Sequence, residues 1–179
     1  MAIPKITHKN VPDALRYIDE NGIPLLKEIE YYASDILRSD NMLMTTKFIQ
    51  HGEVSVYAHS LMVATSCLKF ADKMHIKVDR CSLVRGALLH DYFLYDWHES
   101  PKKCRPHGFT HAKTALMNAK RDFEINEIEA EMIYCHMFPM NILRVPKHRE
   151  SIILCLADKA VSSYETIKGF KRILKVREP

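Results

Sequence analysis

Apolar residues recur along most of this chain at spacings of three and four, the period of a helix with one buried face. Residues 11–21 read as a short helix ended by the Asn21-Gly22 pair, with Gly22 suited to a left-handed cap. Pro24 suits the first turn of a second helix running to about residue 39. Residues 41–50 read as a short third helix. A long one follows from 53 or 54 to about 74, with Tyr57, Leu61, Ala64 and Leu68 making it apolar on several sides and therefore central. Asp79 is placed to cap the next, which is expected to reach about residue 94. A polar loop, 95–106, carries Pro101 and Pro106. Helices over 108–123 and 126–137 lead to a second loop with Pro139 and Pro146, then to a last long helix over 147–169 and a basic tail. No stretch alternates with period two over a useful length. The pattern predicts an all-α, single-domain helical bundle of seven to nine helices, sequential ones antiparallel. Residues 1–47 would be N-terminal helices packing on a core over 48–170, with 171–179 as the tail.

Composition narrows the class. At 179 residues, 47% hydrophobic and 27% charged, the chain can bury a single core, and global disorder is excluded. No apolar run approaches the roughly 18–20 residues of a membrane span. The opening MAIPKITHKN lacks the apolar stretch of a signal peptide, so a cytoplasmic location is expected. With only 5 glycines, a glycine-rich sandwich or a dinucleotide fold is disfavoured. The 5 cysteines are odd in number and have no C-x-x-C spacing, which argues against a disulfide scaffold or a cysteine zinc site. A net charge of +4 with pI about 8.7 is mildly basic and dispersed, without the footprint or reading helix of a sequence-specific nucleic-acid binder.

Histidine is the unusual count, at 10. His8, His75 and His148 sit in polar contexts that favour solvation. Others do not. His59 lies in YAHSLMVATSCL, His90 and Asp91 in GALLHDYFLYDWH, His107 and His111 in HGFTHAKTAL, His136 in EMIYCHMFP and Asp158 in ILCLADKAV. Each step between groups is about one helix plus one turn, so a bundle can bring them to a common point. Taken singly, a buried histidine is more often a hydrogen-bonded core group than a ligand. Taken together, the set needs one explanation. A buried carboxylate is costly unless paired, and the apolar runs offer no Lys or Arg to Asp91. Lys159 follows Asp158 but points about 100° away on a helix. Imidazole plus carboxylate suits one or two divalent transition metals, Fe, Mn, Zn, Ni or Co, rather than Ca or Mg.

The order H…HD…H…H…D, carried by HSLMVA, ALLHDYFLYDWH, HGFTHA, CHMFP and CLADK over roughly 48–165, resembles the HD-domain metal-dependent phosphohydrolase superfamily. The resemblance implies an all-α core in which His59, His90, Asp91 and Asp158 hold one metal. In its two-metal branches Asp91 would bridge, and His107 and His136 would hold the second. His111, one turn after His107, would replace it, add a ligand or hydrogen-bond the substrate. The chain departs from several branches at Leu94, where they carry Lys or Glu; Asp96, His98 and Glu99 follow instead. The HG-x-x-x-A and LAD segments are similar to the branch that cleaves diadenosine tetraphosphate symmetrically.

The implied reaction is hydrolysis of a phosphoester or phosphoanhydride, a nucleotide among the substrates considered, by a metal-activated hydroxide. Asp91, Asp96, His111 and Lys159 form the candidate catalytic set, with Asp96 or His98 as donors to the leaving group. His51, Lys102, Lys103, Arg105 and Arg144 are candidates for holding a small anionic phosphate-containing substrate, with Lys147 and Arg149 nearby in sequence. Tyr92, Tyr95 and Trp97 fit a pocket wall or the core equally well. Two other readings share the ligand order: a di-iron oxygenase of the same superfamily, and a non-enzymatic, metal-stabilised signalling module. The face of Leu25, Leu26, Ile29, Tyr32 and Ile36 would cover the core or form a homodimer contact.

Overall fold

The computed structural model describes residues 23–51, 54–96 and 107–176, and side chains within 24–50, 54–96 and 110–168. The helix expected over 11–21 lies outside them. Helix α1 (Ile23–Leu37) buries Leu26, Ile29, Ala33 and Ile36 at helical spacing and bends at Ala33, whose φ is −140°. Helix α2 (Asp40–Met44) is capped by Ser39, whose hydroxyl accepts from Met42 N at 3.2 Å.

The helix expected over 41–50 stops early. The Thr45 and Thr46 hydroxyls donate to the carbonyls of Met42 and Leu43, competing with the helical ladder. A single 3-10 turn over Thr45–Lys47 follows, then a two-stranded antiparallel hairpin of β1 (Ile49–His51) and β2 (Val54–Ser55). The hairpin corrects the expectation of no strand, because strands of three and two residues are too short to register as a period-two pattern.

Helix α3 (Val56–Lys73) starts at the N-cap Ser55 and is buried on nearly every side. It packs chiefly on α4 (Arg80–Leu89) and α7 (Arg149–Val176). Asp79 caps α4, accepting from Ser82 N at 2.9 Å. This helix ends five residues before the expected position. Beyond it Asn118 of α5 (His107–Asp122) donates to the carbonyls of Tyr92 and Phe93, and Leu94 breaks the helical path with φ of 59°. Helix α6 (Glu127–Cys135) opens with a reciprocal capping box between Asn126 and Glu129. Helix α7 runs past the expected 169 into the basic C-terminal segment. All seven α-helices of the described residues belong to an all-α domain, and Ile29, Ile36, Leu61, Leu68, Leu83, Leu88, Met132 and Leu154 share its core. None of its helices is long and apolar enough to cross a membrane.

Candidate metal centre

Four helices bring one end to the same place. His59 lies in the first turn of α3 and His111 in the second turn of α5, while α4 and α6 finish there with His90 and His136 as their C-caps. A helix end leaves carbonyls without intrahelical donors. His90 Nδ1 donates to Ala87 O at 2.7 Å and His136 Nδ1 donates to Ile133 O at 2.8 Å. A carbonyl only accepts, so each Nδ1 carries the hydrogen and each Nε2 turns a lone pair inward. Asp158 comes from the middle of α7.

These side chains form two groups. In one, His59, His90 and Asp158 bring a ligand atom each within 4.8 Å of one another; in the other, Asp91, His111 and His136 do the same. Asp158 Oδ1 is 3.2 Å from His59 Nε2 and 3.7 Å from His90 Nε2. Asp91 touches both groups. Its Oδ2 is 3.3 Å from His90 Nε2 and 3.9 Å from His59 Nε2, and its Oδ1 is 3.2 Å from His111 Nε2 and 3.5 Å from His136 Nε2. His111 and His136 stand Nε2 to Nε2 at 2.8 Å. None of the six residues is more than 8% exposed.

The donor set fits divalent cations. Acceptors face acceptors: His90 Nε2 and Asp91 Oδ1 are buried and have no hydrogen-bond partner among the described residues. A cation answers several of these lone pairs at once, where a single proton answers one. The protonation equilibria carry the same message. Burial disfavours the His59 cation, yet Asp158 and Glu165 outweigh it and hold its pKa up at about 9. His90 is raised against its burial by Asp91 and Asp158. Burial raises Asp91, but His90 and His111 hold it well below the usual carboxylate range, as His59 and His90 do for Asp158. His136 goes the other way: burial, with His111 and His90 beside it, pushes it to about 3 against the pull of Asp91. Without a metal, the buried carboxylates therefore draw protons onto their neighbours. The residues present are those that would hold one or two divalent ions.

Six of the expected site residues converge here, with one exchange. His107 was expected in the second group and His111 in a catalytic role; the geometry brings His111 itself into that group. His107 begins α5 one turn earlier, and its side chain lies outside the description, as does that of His51. Lys102, Lys103, Arg105, His98, Glu99 and Trp97 fall in a segment outside the described residues. Asp96 is half-buried. Lys159 does not reach into the centre's polar cluster with its ammonium: Nζ donates to His136 O at 2.9 Å, bracing the end of α6. Arg144 lies over the Tyr134 ring, 3.9 Å from its centroid. Arg149 starts α7, about 13 Å of helix from Asp158, and Lys147 lies two residues before that helix. Tyr92 is core, with its hydroxyl donating to Asp122 Oδ2 at 2.9 Å.

Two residues that contribute were not singled out in the sequence. Glu165, 2% exposed, accepts from His59 Nδ1 at 3.0 and 3.1 Å, which turns the His59 Nε2 lone pair toward Asp158. Its spacing of seven from Asp158, two turns on one face, was the available signal. Gln50 of β1 donates from Nε2 to Asp91 Oδ2; no helical periodicity could have placed it.

The chain finds no significant match among curated proteins or among solved structures. A family model does match: HD domain, over residues 56–161, a span that holds both histidine–carboxylate groups and more than half of the chain. Helical fold, ordered ligands and family match agree, and the chain belongs to the HD-domain family.

Proposed function

We propose that the protein is a metal-dependent phosphohydrolase that cleaves a phosphoester or phosphoanhydride of a small anionic substrate, with nucleotides among the candidates. One observation carries this reading: Asp91 presents one oxygen to each of two histidine groups, the disposition of a carboxylate shared between two ions. Divalent ions held there would lower the pKa of coordinated water and offset charge on phosphoryl oxygens.

The chain's own residues do the rest. His59, His90 and Asp158 would hold one ion, and His111 and His136 the other, with Asp91 between. Ala87 O, Ile133 O and Glu165 keep three imidazoles in the tautomer that presents Nε2. Near-complete burial excludes bulk water, which strengthens each electrostatic contact inside. Asp96, five residues beyond Asp91 and half-buried, is the proposed proton donor to the leaving group. Lys159, by bracing the His136 carbonyl, holds the end of α6 against α7. Lys102, Lys103 and Arg105 are the proposed contacts to substrate anions.

That same burial favours a second reading, a closed structural metal site in a non-enzymatic module. One experiment separates them. Purified protein is analysed for bound metal and assayed on a panel of phosphomonoesters, phosphodiesters and nucleotides with Mn2+, Co2+, Ni2+, Fe2+ and Zn2+, with and without oxygen. Metal-dependent phosphate release, lost together with bound metal in His90→Ala/Asp91→Ala, is the expected result. Bound metal with no turnover on any substrate supports the structural module, and turnover that requires oxygen supports an oxygenase.

A further inference from the structure

Gln50 sits where no regular strand would put it. The register of the hairpin slips between the pairs Ile49↔Ser55 and His51↔Val54, so Gln50 is the extra residue of a bulge. Bulges bend a strand and re-aim a side chain. Here the amide is buried, at 7% exposure, and donates from Nε2 to Asp91 Oδ2. Asp91 is the only carboxylate among the described residues that contacts both histidine groups, and the remaining contacts of its oxygens are imidazole nitrogens. Among the described residues the Gln50 bond is therefore the one contact to the Asp91 carboxylate from a neutral amide, and it fixes that group's rotation. Rotation about the bond to that group would carry Oδ1 off His111 and His136.

A second observation ties the amide to the centre. Among the described residues Gln50 Oε1 is buried with no donor, and it joins His90 Nε2 and Asp91 Oδ1 as a third orphaned acceptor at one place. An amide that served only to pack the hairpin would pair both of its ends.

We infer that Gln50 is a positioning residue of the metal centre: its amide holds Asp91 in the orientation that serves two ions at once, and so controls uptake of the second. The inference rests on the two-ion reading above. It makes the hairpin, which precedes the matched family span, part of the working centre.

The test uses the full chain stripped of metal and titrated with Mn2+. Isothermal titration measures each equivalent, and electron paramagnetic resonance distinguishes an exchange-coupled pair from isolated ions. Wild type is expected to take up two ions and show the coupled signal. Gln50→Met keeps an unbranched side chain of similar size without the amide. It should keep the first equivalent at wild-type affinity, bind the second about 10–100-fold more weakly, and show isolated ions at concentrations where wild type is coupled. Gln50→Ala, which removes the amide with no bulk in its place, should do the same and stands in if the Met variant does not fold. Two ions bound with wild-type affinity and coupling in either folded variant overturn the inference alone. Equal loss of both equivalents, with a lower melting temperature of the metal-free protein, overturns it in favour of a scaffold role. A wild-type protein that takes up no second ion overturns the two-ion reading and the inference with it.

Discussion

At the scale of residues, the centre is a set of lone pairs held in place by groups that never touch an ion. Glu165 is the plainest case. It accepts from His59 Nδ1 and so decides which nitrogen faces Asp158. Glu165→Gln keeps the shape but exchanges a charged acceptor for a neutral one. It is expected to weaken metal affinity about tenfold, measured by competition with a chelator of known affinity, with little change in melting temperature of the loaded protein. The raised pKa values give a sign for pH. His59 at about 9, with His90 also raised, is protonated near neutrality in the metal-free protein. Metal needs neutral imidazole, so uptake releases protons and apparent affinity climbs as pH rises toward about 9. Titration at pH 7.5 in buffers of different ionisation enthalpy reads this release directly; equal heats in all buffers would contradict it. The metal-free fold behaves oppositely. Its His59 contribution is fully present below the unfolded pKa of about 6.5 and is lost as pH rises through about 9. Denaturation midpoints of the metal-free protein should therefore fall across that window.

At the scale of elements, the ligands depend on how closely the helices that carry them approach. Helices α4 and α6 each end in a histidine of the candidate centre, and they touch at Gly86. A Cβ added there would meet Met132 Sδ at 2.6 Å, Cε at 2.9 Å and Cβ at 3.0 Å. The sulfur and terminal methyl can swing aside, but Met132 Cβ moves only with the α6 backbone. Gly86→Ala gains up to about 1 kcal/mol of helix propensity and loses about 1–3 kcal/mol to overpacking. The clash wins, since Met132 is fully buried with nowhere to go. Net destabilisation of about 1 kcal/mol, seen in urea unfolding, is expected, together with weaker metal binding as the two C-caps separate. A variant as stable as wild type would show that α6 yields freely at this point.

At the scale of the whole molecule, the centre is a tie between α3, α4, α5, α6 and α7, elements that otherwise meet mainly through apolar packing with a few polar contacts such as Lys159 Nζ to His136 O. Removing an ion leaves Asp91 and Asp158 in a buried cluster with only protons to balance them. A ligand that binds the folded state alone adds RT ln(1 + [L]/Kd), about 2.7 kcal/mol at a hundredfold excess over Kd. Chelation should lower the melting temperature by several degrees, and added metal should restore it; an unchanged transition would mean that the site holds no ion tightly. The N-terminal α1 shares the same core through Ile29 and Ile36, so the transition should remain a single one.

Helical class and most of the residues that converge at the candidate centre were legible along the chain for a physical reason. A polar residue inside an apolar run must be buried, and a buried histidine or aspartate must find partners, so His59, His90, Asp91, His136 and Asp158 announced themselves by context. Asp79 did so as a cap. What the chain could not declare is anything that depends on two distant segments meeting. His107 and His111 share one helical face, and only the packing of α5 against α6 brings the latter to His136. The end of α4 was decided by Asn118, from another helix. Gln50 reaches the centre through a strand bulge and Glu165 from two turns beyond Asp158 on α7, positions set by tertiary contacts. Local periodicity records which side of an element is buried; which neighbour it is buried against is a property of the assembled fold alone.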